Sequence, residues 1–235
     1  MSTSFFHRVF YRLVVGSLRV LLTAGARVKR VVFHKPPAGA FVLASNHISH
    51  FDPAFLSGWT RRKIDWLAMS QLFGTGWSNR AFRWLDVIPV ERSGDDRRAL
   101  REALRRLAGG GVIGVFPEGG IRDGARSMLA GAPGQDGAAM LAVRAGCPIV
   151  PVVILGSERL YNAKNWLPWR RARVYIGVGA AIEPPGGEAA RGAARERMRD
   201  ELAAAMIRLK DDLFARCQLD AGDLPHSPQE RMSEP

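Results

Sequence analysis

The chain has 235 residues, a formal net charge of +12 and 47% hydrophobic residues, which suits a single α/β domain with a sizeable core. Its two cysteines, Cys147 and Cys217, lie far apart without disulfide or metal-ligand spacing; this excludes a disulfide framework and leaves packing residues in a reducing compartment. The basic excess asks for an anionic partner, whether nucleic acid, a membrane surface or a phosphorylated substrate, and charge alone does not choose among them.

Residues 1–30 read as a helix with a broad apolar face, built from Phe5, Phe6, Val9, Phe10, Leu13, Val14, Leu18, Leu21 and Leu22. Arg8, Arg12 and Arg19 interrupt it, so no run approaches the roughly 20 apolar residues that cross a bilayer. A signal peptide would need a longer uncharged core and a small-residue cleavage site, which are not evident. Arginines beside aromatic and leucine side chains suit a helix lying in the headgroup region of an anionic leaflet. The alternative is an ordinary amphipathic helix packed on the core.

Residues 28–33 form the next expected strand, and Pro36-Pro37-Ala38-Gly39 the turn after it. The apolar run 41–44 reads as a short buried strand that delivers Asn46 and His47 to a turn. Asp52-Pro53 then has the signature of a helix start, N-cap followed by first-turn proline. Five residues rotate a helix by about 500°, so His47 and Asp52 share no helical face and meet only across a turn. If Asp52 accepts from one ring nitrogen, it fixes the tautomer of His47 and leaves the other nitrogen to take a proton from a hydroxyl. The bland reading is a structural histidine beside a capping aspartate. His47 and His50 have no further clustered ligand, so no metal site is expected.

Residues 64–69 are a further expected strand, followed by a Trp- and Gly-containing segment to Leu85. Residues 87–90 are expected to deliver Glu91, Arg92 and Ser93 to a loop. The next helix begins near Asp95 and Asp96 and puts Leu100, Ala103, Leu104 and Leu107 on one face; Gly109-Gly110-Gly111 ends it. Its other face carries Arg98, Arg101 and Arg105, either solvated or turned to a membrane. A buried strand over 111–116 leads into Pro117-Glu118-Gly119-Gly120-Ile121-Arg122. There glycine backbone can approach an anion and Arg122 can add a forked charge. Equally, such a loop is a plain turn with Glu118 as a solvated carboxylate or an arginine's partner.

A helix over 138–145 precedes the apolar run 148–155, a strand buried on both faces that implies helices on each side of a sheet. The loop 161–171, with Trp166, Trp169, Arg170 and Arg171, either touches a membrane or caps the core. Residues 173–179 are the last strand candidate. A helix over 188–216 sets Leu202, Met206, Leu209 and Leu213 in register, and 220–235 is an expected disordered tail. The expected fold is α/β, a mostly parallel central sheet with helices on both faces, preceded by an N-terminal amphipathic helix at the membrane interface. Three strand ends then carry His47/Asp52, Arg92 and Glu118-Gly119, where ligands gather in such sheets.

Asn46-His47-Ile48-Ser49-His50-Phe51-Asp52 resembles the first motif of the glycerolipid acyltransferases, the PlsC-like lysophosphatidic acid acyltransferase family. Val87-Ile88-Pro89-Val90-Glu91-Arg92, Val115-Phe116-Pro117-Glu118-Gly119 and Ile149-Val150-Pro151-Val152-Val153-Ile154 resemble its second, third and fourth motifs, in the family's order. The resemblance covers about residues 40–155 and implies an acyltransferase domain over 31–219. It implies acyl transfer from acyl-CoA or acyl-acyl carrier protein to the hydroxyl of a lysophospholipid, 1-acyl-glycerol-3-phosphate foremost. No cofactor or metal is implied. His47 would be the general base and Asp52 its orienter. Asn46, Arg92, Glu118, Gly119, Gly120 and Arg122 would serve the acceptor's polar head, and Pro151 the floor of the site. Its implied place is the cytoplasmic face of a membrane, peripheral or monotopic, with no nucleic acid. The alternatives are a different lysolipid, such as a lyso-amino-acid lipid, or a non-catalytic basic module binding membranes or nucleic acid. The chain departs from the family in two places: the family often has Gly where Asp86 stands, and Thr-Arg after Glu-Gly where this chain has Gly120-Ile121-Arg122.

Overall fold

A computed structural model of the chain describes residues 5–73, 85–91, 97–185, 191–227, 230 and 232. Its centre is a seven-stranded sheet in the order β1-β7-β6-β2-β5-β3-β4. The strands are β1 (Ala26–Val32), β2 (Phe41–Ser45), β3 (Asp65–Met69), β4 (Ile88–Val90), β5 (Val112–Val115), β6 (Ile149–Leu155) and β7 (Ala172–Val178). Five run one way; β6 pairs antiparallel with β7, and β1 follows β7 in parallel. The expected mostly parallel sheet is what forms. β2, β5 and β6 are buried along their whole length, which is why they read as unbroken apolar runs rather than alternating ones.

Helices cover both faces. On one lie α1 (Phe5–Gly25) and α2 (Asp52–Trp59), with Leu22, Phe55 and Leu56 packed on Phe41, Leu43, Val150, Val152 and Ile154. On the other lie α3 (Arg97–Ala108), α4 (Gly137–Ala145) and α5 (Arg191–Cys217). Ala103, Leu107, Leu141, Met198, Leu202, Met206, Leu209 and Leu213 pack there on Val42, Ala44, Ile113 and Val153. Alternate residues of β2 thus serve opposite cores, as strand pleating requires. The expected α3 start at Asp95 and Asp96 and the expected segment ending at Leu85 fall largely outside the described residues.

Two boundaries differ from the sequence expectation. The first strand begins at Ala26, directly after α1, and at the junction a Cβ on Gly25 would meet Leu160 and Trp166 at 2.9 Å. Residues 220–227 do not trail away as expected. Asp220 and Asp223 close a capping box around the turn Ala221–Asp223, and Arg159 pairs with Asp223 at 2.8 Å. The departure at Asp86 also has its reason: its φ is +57°, a left-handed conformation that glycine adopts without strain, and here its carboxylate is held by the Lys63 ammonium at 2.7 Å. No helix among the described residues is long and apolar enough to cross a membrane.

Candidate active site

The site forms where β2 leaves the sheet. Asn46 is fully buried; its Nδ2 donates to the Ile154 carbonyl at 2.9 Å and its Oδ1 accepts from the Ile154 N–H at 2.8 Å. The side chain adds one rung to the β2–β6 ladder. Asn46, expected at the substrate, therefore has both polar atoms engaged by β6.

The next residue is His47, whose Nδ1 lies 2.8 Å from Asp52 Oδ2. The same oxygen accepts the Ile48 and Ser49 N–H groups at 2.8 and 2.9 Å, and Oδ1 accepts the Ser157 hydroxyl. The pair meets across the turn, as the spacing required. The capping role expected for Asp52 does not appear. Phe51 holds the cap position with no side-chain bond, and the Asp52 carboxylate turns back over the loop because the donors of residues 48 and 49 face it. A carboxylate only accepts, so Nδ1 carries the hydrogen and Nε2 the lone pair of a neutral imidazole. The ring is 16% exposed, and Nε2 makes no hydrogen bond among the described residues.

The imidazole stacks on Phe116, with ring centres 4.1 Å apart. Phe116 stacks in turn on Trp66 at 4.7 Å, and the Trp66 Nε1 donates to Ser57 at 3.0 Å. This file of rings fixes the plane of His47 from the β5–β3 side.

Glu118 is placed differently from the expectation of a ligand for the acceptor's polar head. Its Oε2 accepts the His47 backbone N–H at 2.6 Å, and its Oε1 accepts the Ser127 hydroxyl and the Met128 N–H, each at 2.8 Å. Burial pushes its carboxyl above the ordinary glutamate range, while these three donors pull it back. Both oxygens thus brace the backbone beneath His47. Gly119 lies at φ +68°, and a Cβ there would run into the Gln135 side chain; its N–H bonds Phe116 rather than facing an anion. Gly120 has open space around it. The Arg122 N–H donates to the His47 carbonyl at 2.8 Å; the residue is half-buried, and its guanidinium makes no hydrogen bond or ion pair among the described residues. Pro151 lies within the sheet, in register with Ala44 and against Gly179, so it does not line the floor of the site as expected. Its carbonyl accepts the Gly179 N–H at 3.0 Å, one step beyond the last β6–β7 register pair, Val152↔Val178. Arg92 lies outside the described residues.

Sequence reasoning missed Trp66, Ser127 and Ser157. Ser157 is 105 positions from Asp52, and its one sequence signal is that it follows the fourth motif, whose strand ends beside β2. His50, weighed as a metal ligand, meets the Tyr161 hydroxyl through both its backbone N–H and its Nδ1. No group of three or more His, Cys, Asp or Glu side chains is placed to hold a metal among the described residues.

Three comparisons bear on this arrangement. The protein named 1-acyl-sn-glycerol-3-phosphate acyltransferase alpha from Ovis aries is 32% identical over 158 residues, 63% of this chain and 52% of that protein. The Bacillus subtilis (strain 168) protein named 1-acyl-sn-glycerol-3-phosphate acyltransferase is 25% identical over 150 residues, 62% of this chain and 71% of that one. The chain thus spans about half the length of the mammalian relatives it matches. The crystal structure of the 1-acyl-sn-glycerophosphate (LPA) acyltransferase PlsC from Thermotoga maritima superposes with a TM-score of 0.54 at 21% identity, over 83% of this chain and 80% of that one, and speaks for the fold. Residues 29–155, which hold the His47–Asp52 turn and the strands that carry it, match the family model described as Acyltransferase, and to that family the chain belongs.

Proposed function

We propose that the protein is an O-acyltransferase that moves a fatty acyl group from an acyl thioester, carried by coenzyme A or acyl carrier protein, to the hydroxyl of a lysophospholipid. The acceptor proposed is 1-acyl-glycerol-3-phosphate, and the product phosphatidic acid. The observation that carries this reading is the His47–Asp52 pair, with Nδ1 held by a buried carboxylate and Nε2 making no hydrogen bond among the described residues.

In the proposed reaction the acceptor hydroxyl gives its proton to His47 Nε2 as its oxygen attacks the thioester carbonyl. The tetrahedral adduct collapses, the C–S bond breaks, and the imidazolium returns the proton to the departing sulfur. Asp52 stabilises the imidazolium and keeps the tautomer. No acyl-enzyme is needed, and the chain has no Gly-x-Ser-x-Gly nucleophile elbow. Arg122, half-buried and next to the His47 carbonyl through its N–H, supports a phosphate on the acceptor, with Arg92 as a second cation by its place in the second motif. The basic excess and the exposed apolar side chains of α1 support work at an anionic membrane surface.

The test is thiol release by purified protein from acyl-CoA and acyl-acyl carrier protein, against lysophosphatidate, a zwitterionic lysophospholipid and a lyso-amino-acid lipid. Lysophosphatidate should be the preferred acceptor, and His47→Ala should lower turnover by about 10² to 10⁴ while the fold is kept. No thiol release with any acceptor would leave a binding module, and preference for a phosphate-free lipid would overturn the acceptor.

A further inference from the structure

The fully buried Asp52 carboxylate divides its two oxygens unequally. Oδ2 serves His47 and two backbone N–H groups. Oδ1 has one donor among the described residues, the hydroxyl of the equally buried Ser157. We propose that Ser157 is a positioning residue of the acyl-transfer site, which fixes the Asp52 carboxylate so that its other oxygen stays on His47 Nδ1 and the ring keeps Nε2 for the acceptor hydroxyl. This rests on the acyl-transfer reading given above.

The fold delivers Ser157 with little freedom. Asn46 locks the end of β2 to Ile154, so Ser157 lies three residues past a fixed rung. The chain then leaves β6 through Gly156, at φ +82°, where a Cβ would sit 2.1 Å from the Arg173 carbonyl oxygen. Only glycine makes that bend, and the bend sets the next residue over Asp52. The turn Ser157–Tyr161 is gripped a second time where the Tyr161 hydroxyl accepts the His50 N–H at 3.0 Å.

The chemistry gives the readout. The working form sets a neutral imidazole on the Asp52 carboxylate, Nδ1–H toward Oδ2. A hydroxyl donated to Oδ1 keeps the carboxylate from turning, so Oδ2 stays on Nδ1 while Nε2 takes and returns the proton. Without it the carboxylate is held on one oxygen only, and the loss falls on turnover rather than on substrate binding.

The experiment compares kcat and both KM values of wild type, Ser157→Ala, Asp52→Asn and the double variant, with lysophosphatidate and acyl-CoA. Ser157→Ala removes one oxygen and adds no bulk. It should lower kcat by about tenfold or more and leave both KM values within about twofold. Because Ser157 acts through Asp52, Ser157→Ala in the Asp52→Asn background should cost little further. An unchanged kcat, a loss confined to KM or to thermal stability, or additive losses in the double variant would overturn the proposal while leaving acyl transfer intact. A wild type that releases no thiol overturns both readings.

Discussion

Two buried carboxylates flank His47, one on its ring and one on its backbone, and the second is the sharper test of how this loop is built. If Glu118 is a brace, Glu118→Gln exchanges one acceptor oxygen for an NH₂ facing either the His47 N–H or the Met128 N–H. A buried donor left facing a donor costs about 1–3 kcal/mol, which urea unfolding would read. A brace also predicts a lower kcat with the acceptor KM almost unchanged; a raised acceptor KM alone would return Glu118 to the substrate. The pH dependence has a definite sign. Burial raises the folded carboxyl above its unfolded value, so its contribution to stability is full below the unfolded value and is lost as pH climbs through the folded one. Wild type should therefore lose part of its advantage over Glu118→Gln as pH rises above the ordinary carboxylate range. An advantage that grows with pH would refute the raised value.

At the scale of elements, the turns that end strands matter more than the strands. Gly156→Ala places a Cβ on the Arg173 carbonyl in a left-handed conformation and should destabilise by more than about 2 kcal/mol. Gly120→Ala has a φ outside that region and meets nothing within 4 Å, so its stability should hold within about 0.5 kcal/mol. Equal melting shifts for the two would contradict the turn geometry. The same contrast explains what was legible beforehand. Strands buried on both faces announce themselves by composition, and the spacing of His47 and Asp52 already required a turn. Asn46, Glu118 and Pro151 were legible as positions but not as roles, because a motif gives residue type and order and leaves the direction of the side chain open. Asn46 and Glu118 turn toward backbone groups of β6 and the His47 loop, and Pro151 packs inside the sheet. Ser157 was invisible, since its partnership depends on β6 lying beside β2, and strand order has no periodicity to read.

At the scale of the whole molecule, α1 is apolar on two sides. One side enters the core through Tyr11 and Leu22, and the Tyr11 hydroxyl accepts the Ile64 N–H at 3.3 Å. The other leaves Leu13 64% and Val20 72% exposed, with Val9, Phe10 and Leu21 also outward. Near the end of the helix Arg171 donates to the Thr23 carbonyl, which brings in the loop whose Trp169 is 74% exposed. Beside that loop, Trp166 and Tyr161 pack on Phe51, within the His47–Asp52 turn. A lipid surface under α1 would therefore lie against the elements that frame the site, where a lysolipid would arrive. Deleting residues 1–26 is a poor test, because it also strips Tyr11, Leu22 and Ala26 from the core. Leu13→Glu with Val20→Glu leaves the packed side intact. Each exposed side chain buried in lipid is worth about 1.5–3 kcal/mol, so the double variant should bind anionic vesicles at least about tenfold more weakly, with unfolding unchanged within about 0.5 kcal/mol. Wild-type binding should weaken with added salt, since the basic surface contributes through charge that ions screen. Vesicle binding that survives both substitutions undiminished would remove α1 from the membrane and leave it a packing helix.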